Sequence, residues 1–103
     1  MTSTNPFDHV ALDDAIHGRL RLGIMAYLSS VSPALFGELR DRVNTSDGNL
    51  STHLKKLEEA GYVDIEKRFV AKKPQTRIHL TDAGRTAWLK YLDALKSLLN
   101  AAE

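Results

Sequence analysis

The chain has 103 residues, 43% of them hydrophobic and 26% charged, and this length and composition predict one globular domain over residues 1–103. It contains no cysteine, which excludes disulfides, thiol redox sensing and thiolate metal sites and fits a reducing compartment. The net charge is only +1, so composition alone does not indicate a polyanionic partner.

The first predicted helix covers about residues 13–30. Its apolar residues at helical spacing are Ile16, Leu20, Ile24, Tyr27 and Leu28. Leu22 and Met25 lie on another side, so the helix is apolar on more than one face and is expected to be buried from two directions. We therefore assign Leu22 and Met25 to a subunit interface. The helix ends near Pro33, because the residue before a proline avoids the helical region.

A short second helix is predicted over about residues 36–43, and a turn-rich segment follows it. Ser46 is the predicted N-cap of a third helix, with Thr45 as the alternative. This third helix runs to about Ala60, and Gly61 ends it at the usual C-terminal glycine position.

The third helix separates apolar from polar side chains. Leu50, Leu54 and Leu57 cluster on one face when successive residues are set roughly one hundred degrees apart. Opposite the leucines lie Gly48, Asn49, Thr52, Lys55, Lys56 and Glu59, and Ser51 and His53 lie on the flanks, so this face begins with small hydrogen-bonding groups and continues into two lysines. This order suits a helix that enters a DNA major groove by its N-terminal end, with short side chains at base edges and lysines at phosphates. The alternative is a capped amphipathic helix with a solvated charged face.

A β hairpin is predicted next, with strands over residues 62–70 and 76–80 and a turn over residues 71–75. In the first strand Val63, Ile65 and Phe69 share one face, and the opposite face carries Asp64, Glu66 and Arg68. This alternation with a period of two is typical of a half-buried strand.

Positive charge concentrates in the middle of the chain, over the third helix and the hairpin. Residues 46–80 carry seven basic and five acidic side chains, whereas residues 1–45 carry four and five and residues 81–103 carry three of each. Four basic residues on or beside the turn can clamp a phosphate backbone or enter a minor groove: Arg68, Lys72, Lys73 and Arg77. The alternative is a solvated turn whose lysines protect an exposed strand edge.

The last helix is predicted over residues 81–102, where Thr81 and Asp82 provide the start signal. Its large apolar residues recur at steps of three and four: Trp88, Tyr91, Leu92, Leu95, Leu98 and Leu99. This is the pattern of helix pairing, and it predicts a homodimer formed through this helix. The alternative is that the helix packs only against the first helix of its own chain.

No group of residues indicates catalysis, so we expect no enzyme, no metal and no cofactor. The four histidines, at positions 9, 17, 53 and 79, show no i,i+4 spacing and no metal-ligand pattern with carboxylates. The glycines form no phosphate loop, and no serine has an evident base partner. Met1 to Phe7 lack the features of a signal peptide, and no stretch approaches about 20 consecutive apolar residues. A cytoplasmic protein that does not contact a membrane is therefore predicted.

Three segments resemble the MarR/ArsR-like winged helix-turn-helix transcription regulators. Residues 12–25 resemble their opening helices, and residues 49–63 resemble their recognition helix and the start of their wing, which is the hairpin. Residues 76–85 resemble the return strand and the start of the last helix. The resemblance extends over about residues 10–100, is most specific from Leu50 to Val63, and is to the short, single-domain winged helix DNA-binding branch.

The resemblance implies an α+β fold that is mainly α with a small β-hairpin wing and a long C-terminal dimerisation helix. Helices and wing would span residues 13–80, and the dimerisation helix residues 81–102. It implies a homodimer that binds an inverted repeat in double-stranded DNA and regulates or represses transcription. By motif position the groove-facing residues are Asn49, Ser51, Thr52, His53 and Lys56. The implied wing contacts are Lys72, Lys73 and Arg77.

Two further consequences concern sensing and the alternative function. Metal sensors of this kind use cysteines or terminal-helix histidines, and this chain has neither, so we expect no metal sensor and assign no small-molecule effector. The alternative function is a winged-helix module for protein–protein contact that lacks specific DNA binding. Glu58 and Glu59, next to the lysines of the third helix, keep that alternative open.

Overall fold

The computed structural model describes residues 12–101, which form four helices and a three-stranded antiparallel sheet. In chain order the elements are α1 (Arg19–Ser30), β1 (Ala34–Leu35), α2 (Phe36–Arg42), α3 (Asp47–Glu59), β2 (Val63–Val70), β3 (Lys73–Leu80) and α4 (Asp82–Ala101). The predicted order of three helices, a hairpin and a last helix is confirmed. The segment Met1–Phe7, which is predicted to lack the features of a signal peptide, and His9 lie outside the described residues.

Helix α1 begins six residues later than predicted, at Arg19 instead of near Asp13. Gly18 precedes it with a φ of 129°, a conformation that favours glycine. Upstream, the Asp13 carboxylate accepts hydrogen bonds from the Ala15 N–H at 2.8 Å and from the Tyr62 hydroxyl. Together with burial, the bond to Asp13 raises the pKa of Tyr62 to about 12, so the phenol remains a neutral donor at physiological pH. Residues 13–16 therefore form a separate turn that is tied to the start of β2.

Strand β1 was not predicted. Ala34 pairs with Ile78 and Leu35 with Arg77, which places β1 beside β3 and gives the strand order β1-β3-β2. Directly after β1, the Glu38 carboxylate accepts hydrogen bonds from the Leu35 N–H at 3.3 Å and from the Tyr27 hydroxyl. These bonds join the first turn of α2 to α1.

The ends of α3 are those that the sequence predicts. The Ser46 hydroxyl accepts a hydrogen bond from the Asn49 N–H at 3.2 Å, which confirms Ser46 as the N-cap. At the other end the helix runs to Glu59, and Gly61 follows with a φ of 81°, the left-handed conformation expected after a helix.

The hairpin turn is shorter than predicted. Strands β2 and β3 pair in continuous register from Val63 opposite Leu80 to Val70 opposite Lys73, so only Ala71 and Lys72 connect them. Both turn residues have positive φ, 52° and 66°, as a two-residue type I′ turn requires. Lys73 therefore belongs to β3, and the predicted turn of residues 71–75 is corrected.

The core lies where α1, α3 and the first half of α4 pack on one face of the sheet. Its completely buried side chains include Ile24, Met25, Leu28, Leu39, Leu50, Leu54, Leu57, Val63 and Ile78. From α4, Trp88 and Tyr91 complete the core with stacked rings whose centroids are 6.1 Å apart.

Helix α4 meets the rest of the domain at its first turn. The Thr81 hydroxyl accepts a hydrogen bond from the Gly84 N–H at 2.9 Å and donates one to the Gly61 carbonyl at 2.7 Å. This pulls the helix so close to β2 that a Cβ atom on Gly84 would lie 2.1 Å from the Tyr62 carbonyl oxygen. Among the described residues of α4, none after Tyr91 is buried, so the second half of the helix extends past the core.

Candidate nucleic-acid interface

The outward face of α3 carries the polar residues that the sequence analysis assigned to it. Because Leu50, Leu54 and Leu57 are buried, the remaining surface of the helix is turned to solvent. The predicted contacts Asn49, Ser51, Thr52, Lys55 and Lys56 are all exposed on it, and so are Asp47, Gly48, Glu58 and Glu59. The Thr52 hydroxyl donates to the Gly48 carbonyl at 3.0 Å, which fixes the direction of that side chain in the first turn.

The one acidic residue in the first turn of α3, Asp47, is paired. Its carboxylate binds Nη1 of Arg40 at 2.9 Å, and Nε of the same guanidinium binds Asp41 at 2.9 Å. The two carboxylates raise the pKa of Arg40 above its already high value. The pairs are exposed and add little stability, and because two carboxylates share the one charge of Arg40, it offsets only part of the negative charge at the end of α3 that carries the short polar side chains.

His53 differs from the other predicted contacts, because it is half-buried against α1. Its Nδ1 lies 3.1 Å from Nη1 of Arg21, and since a guanidinium only donates, Nδ1 is the acceptor. Nη2 of Arg21 donates to the His17 carbonyl at 2.9 Å. Burial, together with the charges of Arg21 and Lys56, lowers the pKa of His53, so the ring is neutral at physiological pH. His53 thus links α3 to α1, and Arg21 is a basic residue at this surface that the sequence analysis missed.

The four basic residues assigned to the hairpin do not form one cluster. Lys72 lies in the turn, whereas Arg68, Lys73 and Arg77 share the face of the hairpin that points away from the core. Glu66 lies among them and accepts a hydrogen bond from Nε2 of His79 at 2.9 Å. That bond and the charges of Arg68 and Arg77 lower the pKa of Glu66. Its carboxylate therefore partly neutralises this face. The positive charge of Lys72, in the turn, is less neutralised by Glu66.

A cleft of about 510 Å³ separates α3 from the inner face of the hairpin. Lys55 lines its helix side and Lys67 its strand side, so two lysines border the cleft from opposite elements. The other lining residues are Phe36, Ser51, Leu54, Glu58, Ile65 and Thr76. Lys67 was not singled out from the sequence. The sequence feature that could have identified it is the alternation of faces in β2, which places Lys67 on the same face as Ile65.

The structure divides the residues assigned to the dimer interface. Met25 is completely buried within its own chain, and Trp88 and Tyr91 are almost so, which corrects their assignment because little of them is left for a partner to contact. Leu22, Leu95 and Leu98 are half-buried. Leu92 and Leu99 are exposed, as is Leu89, which the sequence analysis did not include.

The described residues also bear on metal binding and on membrane crossing. In residues 12–101 there is no group of three or more histidine, aspartate or glutamate side chains arranged to hold a metal ion. No helix in this range is long and apolar enough to cross a membrane.

Comparisons with known proteins agree with this geometry. The family described as winged helix DNA-binding domain matches residues 20–99. An uncharacterized protein of Methanocaldococcus jannaschii is 38% identical over 73 residues, which cover 71% of this chain and 79% of that protein. A transcriptional regulator homologue from Pyrococcus horikoshii OT3 superposes with a TM-score of 0.87 at 26% identity, over 97% of this chain and 99% of the other.

Longer regulators contain the same fold. The structure of reduced AbfR bound to DNA matches with a TM-score of 0.69 at 26% identity, over 79% of this chain and 60% of AbfR. A MarR-family transcriptional regulator from Silicibacter pomeroyi matches with a TM-score of 0.65 at 19% identity, over 85% of this chain and 58% of that protein, and shows the shared fold.

Proposed function

This chain belongs to the winged helix DNA-binding domain family and is a MarR-like DNA-binding transcription regulator, and we propose that it represses transcription as a homodimer bound to an inverted repeat. The observation that carries the proposal is the joint position of α3 and the hairpin. The exposed polar face of α3 and the inner face of the hairpin border one cleft that is lined by Lys55 and Lys67. A major groove along α3 would bring a phosphate backbone between these two lysines.

The proposed division of labour follows from the side chains. Asn49, Ser51 and Thr52, near the start of α3, contact base edges, because short polar groups there reach the floor of the major groove. Lys55, Lys56 and Lys67 contact the flanking phosphates, and Lys72 at the turn of the hairpin holds the next stretch of backbone. The AbfR structure supports this proposal, since that regulator was solved bound to DNA.

Selection from a pool of random duplexes, followed by sequencing, tests the proposal directly. We expect an inverted repeat to be enriched, because two copies of α3 related by a twofold axis read the same half-site on opposite strands. Absence of salt-dependent duplex binding at low ionic strength would contradict DNA binding and favour the protein–protein adaptor function.

The wing is expected to contribute affinity without sequence preference. Replacing Lys72 and Lys73 with alanine should weaken binding to every duplex and make the negative slope of log K against log salt shallower by about two, since two phosphate contacts are lost. Titrations over a range of salt concentrations measure the slope. Lys90→Ala, which removes an exposed lysine from α4, is the control and should leave the slope unchanged. An unchanged slope in the double variant would remove the wing lysines from the interface.

The dimer is proposed on the second half of α4. Leu92 and Leu99 are 39% and 61% exposed and lie seven residues apart, with the half-buried Leu95 between them on the same side of the helix. Leu89, 61% exposed, widens this apolar surface. A second copy of the chain is the partner that we propose for it, because two such helices can bury each other's leucines.

Charges on this surface should separate the protomers. Replacing Leu92 and Leu99 with glutamate is expected to convert a dimer into a folded monomer, since both side chains lie outside the core. Sedimentation at micromolar concentration measures the change. Leu35→Glu alters a leucine that is similarly exposed, at 40%, but lies on β1, and this control should remain dimeric. A parent protein that sediments as a monomer would refute the dimer.

A further inference from the structure

The tip of the hairpin carries an aromatic side chain that its own fold does not use. Phe69 is 75% exposed, which makes it the most exposed large hydrophobic side chain among residues 12–101. It is the penultimate residue of β2 and pairs across the hairpin with Pro74, so two apolar side chains stand together at the tip. An exposed phenylalanine of this size favours an environment other than water.

The register of β2 sets the direction of this side chain. Successive residues of a strand alternate between its faces, so Phe69 lies on the face of Val63, Ile65 and Lys67. Val63 packs in the core, whereas Ile65 and Lys67 line the cleft beside α3. At a rise of roughly 3.3 Å per residue, Phe69 lies about 13 Å beyond Ile65 along the strand. The phenyl ring is therefore on the α3 side of the hairpin but beyond the residues that border the cleft.

The charge around the ring has one sign. Lys67 precedes it on the same face, Lys72 lies in the adjoining turn, and Lys73 starts the return strand on the opposite face. From Lys67 to Thr76, the last strand pairs and the turn contain no acidic residue. An apolar ring framed by lysines is complementary to the minor groove of a duplex, where phosphates line both edges and stacked bases lie between them.

We propose that Phe69 is a wedge that enters the minor groove beside the half-site, partly unstacks one base step and bends the duplex. This inference rests on the proposed DNA binding and adds a mechanical role for the wing. Lys67 and Lys72 hold the two phosphate backbones on either side of the ring. Because pyrimidine–purine steps unstack most readily, the selected duplexes should carry TA or CA steps at the position under the wing.

The test uses the full chain and the duplex obtained by selection, with 2-aminopurine in place of an adenine at the position under the wing and dyes at both ends for energy transfer. Binding of the parent protein should raise the 2-aminopurine fluorescence and bring the ends closer. Phe69→Ala should abolish both changes and weaken binding about tenfold. A loss of this size is near the low end of the loss in affinity found when a stacking aromatic residue is replaced by alanine. The salt slope should not change, since no charge is removed.

Two further variants separate a wedge from a general effect at the tip. Phe69→Leu keeps an apolar side chain and should retain part of the bend. Val70→Ala shortens an exposed apolar side chain at the same tip, but on the opposite face of the hairpin, and should behave like the parent.

The outcomes also separate this inference from the function on which it rests. Phe69→Ala with the parent's bend and fluorescence would overturn the wedge while leaving DNA binding intact. A second result would also overturn the wedge: the parent binds anionic vesicles, and Phe69→Ala loses that binding but bends the duplex as the parent does. That result would assign the tip to a membrane surface. A parent that selects no duplex would refute the proposed function and the wedge together.

Discussion

Replacing Gly84 with alanine is expected to be the most damaging single-methyl change in this protein, lowering the free energy of unfolding by about 3 kcal/mol. The added Cβ would lie 2.1 Å from the Tyr62 carbonyl oxygen and 2.9 Å from Cδ1 of Leu80. The first of these atoms belongs to the backbone immediately before β2, so relief requires α4 to move away from the sheet. That movement breaks the hydrogen bonds of Thr81 and loosens the packing of Trp88.

Thermal unfolding measures this effect, and we expect the melting temperature to fall by roughly 10–20 °C at matched protomer concentration. Gly48→Ala is the matched control, since it makes the same chemical change in the first turn of α3, where no atom lies within 4 Å of the added Cβ. Alanine there should be neutral or slightly stabilising, because it lowers the entropy of the unfolded chain. Equal melting temperatures for Gly84→Ala and the parent would mean that α4 does not approach β2 as closely as described.

Reversing the charge of both cleft lysines should cause the largest loss of DNA binding. The double variant Lys55→Glu, Lys67→Glu is expected to bind every duplex about a hundredfold more weakly, because each lost phosphate contact contributes roughly a factor of ten. The two residues lie on facing walls of one cleft, so each single variant should lower affinity in the same direction. Fluorescence anisotropy with selected and scrambled duplexes measures the affinities.

The ratio of affinities for selected and scrambled duplexes distinguishes a loss of phosphate contacts from damage to base recognition. Phosphate contacts carry no sequence information, so the ratio of affinities for selected and scrambled duplexes should stay close to that of the parent. Lys90→Glu makes the same change in charge on α4 and should have a small effect. If Lys67→Glu binds as the parent does, then the phosphate backbone does not pass through the cleft.

Local signals account for the parts of the fold that the sequence predicts well. The bounds of α3 follow from Ser46 and Gly61, which act within one turn of the helix they delimit. The start of α1 depends on a local feature and a tertiary one: Gly18 has a positive φ directly before the helix, and the Asp13–Tyr62 bond ties the preceding turn to the residue before β2. The helical spacing of apolar residues continues upstream through Ile16, so spacing alone places the start too early. Strand β1 has two residues and exists because β3 pairs with it, so no local pattern indicates it.

The candidate site is predicted to a similar extent. The exposed face of α3 follows from its leucines, but the cleft depends on how the hairpin packs, and Lys67 enters the site only through that packing. Spacing also shows which residues of α4 are apolar without showing what covers them. Trp88 and Leu92 belong to the same apolar spacing, yet Trp88 is buried in the core and Leu92 is exposed.

The continuity of α4 has a mechanical consequence. After Gly84, its described residues contain neither glycine nor proline, so this helix of 20 residues is a rod about 30 Å long without a hinge. Its N-terminal end packs closely against the chain next to β2 at Gly84, and its C-terminal half carries Leu92 and Leu99 of the proposed interface. In the proposed dimer, a rigid helix of this kind would fix the distance and the relative rotation between the two copies of α3. Such a dimer would act as a molecular ruler, rejecting targets whose half-sites are displaced by even one base pair.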